Sequence, residues 1–237
     1  MLITIITVVY NAVETIEETI LSIINQDFKD FEYIIIDGGS DDGTAEILKK
    51  YKNRLAYWVS EKDNGIYDAM NKGVLKANGN WIFFLGADDI LFSPDVLQNV
   101  SGNLISNNTI YYGNVLFKHR NIIYDGKFNS FKLATRNLAH QSIFYPKKVF
   151  DLYKFKLIYT IFADYDLNII LFNNINFIFK YLPLTIAVFD DFGSSGSRVP
   201  DSNFERNRLS IIKKNFPFYV FLYRFFRSIA AKLTSRL

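Results

Sequence analysis

Carboxylates at the ends of apolar runs are the groups of this 237-residue chain best placed to do chemistry. Asp88 and Asp89 follow the apolar run 81–85. Two adjacent carboxylates are costly unless a cation or solvent compensates them, and Mg²⁺ or Mn²⁺ takes one or two carboxylates plus phosphate oxygens. The alternative is a solvated turn. Asp37 is followed by Gly38 and Gly39, which let a ligand approach the backbone while the carboxylate accepts a base N–H. That segment also reads as a strand-to-helix turn with Ser40 or Asp41 as the cap. Asp68 and Asn71 are three apart, share a helix face and are poor helix-interior residues, a misfit of the kind functional sites carry. Their alternative is a surface helix ended by Gly73. Asp164 and Asp166 lie in an apolar segment, where burial would raise a carboxyl pKa and suit a general base, or where Asp164 simply caps a helix. His140, next to Gln141 and Ser142, precedes a short strand, whereas His119 reads as a hairpin surface residue.

Composition narrows this chemistry. The chain has no cysteine, which excludes disulfides, zinc–thiolate sites, iron–sulfur clusters and a thiol nucleophile. Two histidines are too few for a histidine-rich metal site, so hard-metal chemistry must rest on carboxylates. The net charge of +3 conceals an asymmetry. Eight of the 27 basic residues lie in 206–237, which has no acid. Residues 1–205 therefore hold 19 basic against 24 acidic residues, a net −5. A nucleic-acid binder would carry its basic stripe on the folded body, so that partner class is excluded.

The elements that must position these groups follow from hydrophobic period. Residues 2–10, 33–36, 55–59 and 81–85 read as buried strands, separated by helical patterns over 13–24, 45–48 and 67–77. Asn11 reads as the cap of the first helix. Alternating strand and helix predict an α/β fold with a mostly parallel sheet covered on both faces, and ligands in such sheets sit beyond the carboxyl ends of the strands. Every one of these strands ends in a polar cluster, so the clusters should converge on one edge. Further on, 110–118 and 121–124 predict a hairpin, 142–145 a strand, 165–172 a helix, 175–189 one bent strand or a pair, and 190–203 a polar loop. The body divides into halves 1–100 and 101–205, followed by a helical tail 206–237. In that tail Arg224 and Arg227 share a face and Phe221, Leu222, Phe225 and Phe226 cover the rest, the pattern of a basic amphipathic helix in a membrane interface. Packing on the body, or pairing in a homodimer, is the competing reading. The N-terminus carries no signal-peptide pattern and no apolar stretch is long enough to span a bilayer, so a cytoplasmic, membrane-peripheral protein is expected.

Taken in order, the stretches 3–11, 22–26, 37–44, 63–73 and 84–89, and more weakly 140–142 and 163–167, resemble the family 2 glycosyltransferases of GT-A fold, in particular the branch that builds bacterial O-antigen, capsule and colanic-acid-type polysaccharides. The resemblance implies a UDP-sugar donor, inversion at the anomeric carbon and a Mn²⁺ or Mg²⁺ cofactor. Carried over, Thr7, Val9, Asn11 and Asp37 frame the uracil. Gly65, Asp68, Asn71 and Ala87 line the nucleotide pocket. Asp88, with Asp89, ligates the metal, and Asp164 deprotonates the acceptor hydroxyl. His140, Gln141 and Arg198 meet the acceptor or diphosphate, with Ser194, Ser195 and Arg198 in a closing loop. A lipid-linked acceptor of the undecaprenyl-diphosphate type would be met at the cytoplasmic face of the bacterial inner membrane. Gly86 departs from the pattern, since an acid often stands there; so do Met70, at a frequent Arg, and Ala163, at the usual Glu. The rival expectations are a sugar nucleotidyltransferase, whose Gly-rich basic N-terminal loop is missing, and a catalytically dead sugar-nucleotide-binding scaffold.

Overall fold

The computed structural model describes residues 1–192 and 201–234. The first half is four parallel strands: β1 (Ile3–Val9), β2 (Phe31–Asp37), β3 (Tyr57–Ser60) and β4 (Trp81–Phe84). Helices α1 (Ile16–Ile24), α2 (Thr44–Tyr51) and α3 (Ile66–Lys76) connect them. After β4 come β5 (Ile90–Leu91), α4 (Val96–Ser101), β6 (Thr109–Phe117), β7 (Ile122–Tyr124), α5 (Ser130–Thr135), β8 (Ile143–Pro146) and α6 (Lys148–Leu152). The chain then continues through α7 (Ala163–Phe172), β9 (Ile178–Phe189), α8 (Ser202–Asn215) and α9 (Phe218–Thr234).

Strands of both halves join one sheet of order β3-β2-β1-β4-β8-β6-β9-β5, with β7 on β6. β8 runs antiparallel to β4 and β6, so the sheet is mixed beyond β4. The period of two in β1 sends Ile3, Ile5 and Val9 to one core and Ile6 to the other. Burial on both faces explains the uninterrupted apolar runs. The hairpin expected over 110–124 forms between β6 and β7, and 175–189 gives one strand.

Several local expectations change. Asn11 does not cap α1: it has φ 49° and its Oδ1 accepts the Asp41 N–H, while Thr15 takes the cap position. Neither Ser40 nor Asp41 caps α2. Gly43 does, at φ 105°, and Asp42 Oδ1 accepts the Thr44 N–H. Gly73 does not end α3. It lies inside that helix because a Cβ there would come within 2.6 Å of Ile6 Cγ2, so its absence lets α3 lie close on β1. Asp164 is not the cap of α7, a position held by Phe162. The tail boundary at 206 falls inside α8, which packs on α7, and Ser202 and Asn203 of the expected loop belong to that helix. Pro217 separates α8 from α9.

Candidate active site

The register Val9↔Asp37 and Asp37↔Ser60 places the carboxyl ends of β1, β2 and β3 side by side. The Leu85 N–H donates to Ile6 O, which brings the end of β4 to the same edge. The ends of β2 and β4 therefore stand two strand spacings apart, about 10 Å, with the end of β1 between them.

Asp37 is fully buried yet well supplied with donors: Ser60 Oγ at 2.5 Å from Oδ2, and Ser40 through Oγ at 2.5 Å from Oδ1 and through N at 3.1 Å from Oδ2. Hydrogen bonds of this kind hold a carboxylate's orientation. Asp63 stands beside it, because a Cβ on Gly38 would lie 2.8 Å from Asp63 Oδ2; its Oδ1 accepts the Gly65 N–H. Asp63 belongs with Asp37 at the carboxyl end of β2 and was not singled out from the sequence.

The Asp88–Asp89 turn has the opposite electrostatics. Asp89 is buried; its Oδ1 accepts the Asp190 N–H at 2.8 Å and its Oδ2 accepts Gln141 Nε2 at 2.9 Å. Burial first, then the charge of Asp88, push its carboxyl up to about 7. Burial, with the charge of Asp190 adding to it, also pushes Asp88 up. One donor on each oxygen ties Asp89 to Gln141 and Asp190, and Asp88 and Asp89 remain the carboxylate pair expected to meet a cation. Among the described residues no cluster of three His, Asp or Glu side chains forms a ready-made metal site. The carboxylates of this turn fit a hard divalent ion whose remaining ligands would come from outside the protein. Gly86 shapes this turn: a Cβ there would lie 2.5 Å from Asp89 Oδ2 and 2.9 Å from Asp88 Oδ1. The space that a side chain would need at position 86 is filled by the two carboxylates.

Asp164 is almost fully buried, at 4% exposure, and centres a polar network. Its Oδ1 accepts from Tyr67 Oη at 2.8 Å and from the Tyr165 N–H at 2.8 Å. Its Oδ2 accepts from Asn137 Nδ2 at 2.8 Å and stands 3.4 Å from His140 Nδ1. Asn137 is held in turn by Asn168, and Asn168 by Tyr145. Burial, then the charge of Asp164, raise the Tyr67 hydroxyl well above its ordinary value, so it stays a donor. His140 thus stands against Asp164 and is near enough to Asp88 and Asp89 to act on them electrostatically, so it lies between that turn and Asp164.

The remaining expected residues are placed as follows. Thr7 is buried, with Oγ1 accepting from Tyr33 Oη, so its side chain serves the sheet; Val9 is core. Asn11 stands at the rim but is tied to the 40–41 turn. Gly65, at φ 101°, starts α3, and Ala87 is half-buried in the metal turn. The helix misfits have local explanations. Asp68 accepts from the backbone and side chain of Asn64 and so caps the first turn of α3. Asn71 grips the backbone of Phe155 through both Oδ1 and Nδ2. Ser194, Ser195 and Arg198 lie outside the described residues. Asn137 and Tyr67 were not found from the sequence, for they reach Asp164 from 27 and 97 residues away. His119, read as a surface residue, stands at the rim with Nε2 3.1 Å from Asp190 Oδ1. An 830 Å³ groove lined by Tyr153, Lys156, Asn174 and Lys214 contains none of the rim carboxylates.

Comparison with known proteins agrees with this geometry. Residues 4–163 match the model of the Glycosyl transferase family 2. A "PGL/p-HBAD biosynthesis glycosyltransferase" of Mycobacterium tuberculosis is 35% identical over 190 residues, covering 77% of this chain and 74% of that protein. The "Cholesterol galactosyltransferase" of Borreliella burgdorferi is 36% identical over 94 residues, 38% of this chain and 26% of that one. Among solved structures, S. aureus TarS 1–349 in complex with UDP-GlcNAc superposes with a TM-score of 0.73 at 17% identity, over 91% of this chain and 66% of that one. The chain spans 39% of a longer TarS structure. The mannosyltransferase PcManGT from Pyrobaculum calidifontis, in complex with GDP-Man and Mn²⁺, superposes with a TM-score of 0.66 at 15% identity, over 97% of this chain and 75% of that one. The fold is the GT-A type, and the chain belongs to glycosyltransferase family 2.

Proposed function

We propose that this chain transfers a hexose from a UDP-sugar to a lipid-linked saccharide, of the undecaprenyl-diphosphate type, with inversion at the anomeric carbon. The product would be a cell-surface polysaccharide of the O-antigen or capsule kind, made at the cytoplasmic face of the bacterial inner membrane. The observation that carries this reading is that one rim holds an oriented carboxylate at Asp37, a cation-seeking one at Asp88 and a buried one at Asp164, with His140 between the last two. The UDP-GlcNAc complex of TarS supports the donor class, and the Mn²⁺ complex of PcManGT supports a divalent ion.

The acceptor oxygen attacks the anomeric carbon, the bond from that carbon to the diphosphate oxygen breaks, and the acceptor proton passes to Asp164. Tyr67, Asn137 and the Tyr165 N–H fix the orientation of that carboxylate. A divalent ion at Asp88 would neutralise charge gathering on the departing UDP. One observation favours a second reading of the proton path: both oxygens of Asp164 already accept from protein donors. His140 would then take the proton, with Asp164 holding its Nδ1. UDP release from a panel of UDP-sugars and GDP-mannose, with and without Mn²⁺, with products weighed on a synthetic lipid-diphosphate acceptor, tests the proposal. Metal-stimulated UDP release with one hexose added supports it; donor binding without turnover would point to the scaffold, and pyrophosphate release to the nucleotidyltransferase. Loss of turnover in His140→Gln with Asp164→Asn still active would favour the second path.

A further inference from the structure

Helices α7 and α8 pack on each other around Phe204, whose ring lies 5.1 Å from that of Tyr165. Elsewhere along the pair the 830 Å³ groove opens between them. Asp166 and Ile170 of α7 and Asn207, Ile211 and Asn215 of α8 line it at the four-residue spacing of one helix face. Segments 153–159 and 173–176 supply the rest of its wall. Asp166 follows Asp164 by two residues, about 200° around the helix, so the groove lies across α7 from the Asp164 network. Two packed helices ordinarily bury apolar side chains along their seam, whereas here Asn207, Ser210 and Asn215 surround Ile211. The amides are held in place. Asn207 Nδ2 donates to Asn203 O and Asn215 Nδ2 to Ile211 O, each one turn back, and Asn174 Nδ2 donates to Tyr153 Oη. Asn215 Oδ1 accepts from no donor among the described residues and is not sealed from solvent. Charge is nearly balanced: Lys156 Nζ lies 2.8 Å from Asp166 Oδ2, and Lys214 makes no ion pair among the described residues.

The volume lies within the ~300–1,000 Å³ of ligand sites. One uncompensated lysine is too little charge for a nucleic acid or a polyphosphate, and an alkyl chain would cover amides that it cannot satisfy. A sugar ring carries hydroxyls that donate and accept around its edge and C–H groups on its faces. Amides that do both, tyrosines with a ring and a hydroxyl, and the aliphatic side chains of Ile170 and Ile211 match the two kinds of surface. We propose that this groove binds an oligosaccharide, at a site separate from the rim where transfer takes place. The choice of ligand rests also on the proposed saccharide acceptor, whose units already joined are the polyhydroxylated chain that the groove would hold.

The test is binding of the full-length chain to an array of immobilised bacterial oligosaccharides, beside sugar transfer to a single-sugar lipid-diphosphate acceptor. Ser210→Trp, at an exposed position on α8, sets an indole into the groove and should weaken binding to the array by about tenfold or more. Transfer and UDP affinity should stay as in the wild type, which also shows that the variant folds. Asn215→Ala should cost about fivefold in glycan binding, the worth of one hydrogen bond. Lys213→Gln, exposed and outside the groove, should change nothing. A wild-type chain that transfers sugar but binds no oligosaccharide on the array overturns the groove and leaves the transferase reading standing. Glycan binding undiminished in both Ser210→Trp and Asn215→Ala puts the saccharide elsewhere and overturns the assignment. Glycan binding lost in Ser210→Trp, from a wild-type chain that transfers no sugar, supports the groove and overturns the transferase reading.

Discussion

Strand β2 carries a buried carboxylate near each end, and the two edges of the sheet treat such groups differently. At the amino edge Glu32 accepts from Thr4 Oγ1 at 2.7 Å, Asn78 N at 2.5 Å and Gly79 N at 3.1 Å. Burial works to raise its pKa, but these hydrogen bonds, Thr4 foremost, outweigh it and hold the carboxyl below its ordinary value. At the carboxyl edge burial wins at Asp88 and Asp89, where neighbouring acids add to it. Donors win at Glu32, whereas at Asp88 and Asp89 burial and neighbouring acids win, a balance that a cation would relieve.

Substitutions should respect that division. The largest effect belongs to Asp164→Asn, which should cut sugar transfer by about 10²–10⁴-fold, the worth of a positioned base, while UDP affinity measured by calorimetry stays within about twofold of wild type. Equal loss of both would mean Asp164 only holds the fold. Gly86→Ala should lower turnover by about 10²-fold, because the new Cβ forces Asp88 and Asp89 out of place; unchanged kcat would show that the turn's shape is immaterial. At the opposite edge Glu32→Gln should cost about 1–3 kcal/mol in urea unfolding and leave kcat alone.

Acid should reach the amino edge in a defined direction. The folded pKa of Glu32 lies below its unfolded value, so the stability it contributes is fully present above the unfolded value of about 4.3. That contribution is lost as pH falls through the folded value. Unfolding followed against pH should show this acid-side loss in the wild type and less of it in Glu32→Gln; identical profiles would sink the assignment. The smallest effect expected is Ser60→Ala, which removes one of the donors to Asp37 and should weaken UDP binding by about fivefold, the worth of roughly 1 kcal/mol. Thr4→Val, its counterpart at Glu32, should lower stability and leave UDP binding as it was.

The N-terminal half was legible because its candidate groups sit at the ends of their own strands. Apolar runs fixed β1 to β4, parallel pairing forced their ends together, and Asp37 and Asp88 could be found locally. The two helix misfits there also have local partners. Asp68 and Asn71 looked out of place in a helix, yet capping of α3 and a grip on Phe155 account for both. The C-terminal half was less readable. Asn137, Tyr67 and Asp190 reach the site through tertiary contacts between residues 27 to 101 apart, and no spacing rule covers those distances. Five-residue α6 and two-residue β5 are too short to leave a periodic signal.

The central claim is that the like-charged turn at Asp88 holds a divalent ion on the diphosphate of a nucleotide seated along this rim. Calorimetric titration of UDP into the wild type and Asp88→Asn, each with and without Mn²⁺, tests it directly. The account predicts that Mn²⁺ tightens UDP binding to the wild type by tenfold or more, about 1.4 kcal/mol, and does nothing for Asp88→Asn. UDP binding of equal strength in all four titrations would contradict it.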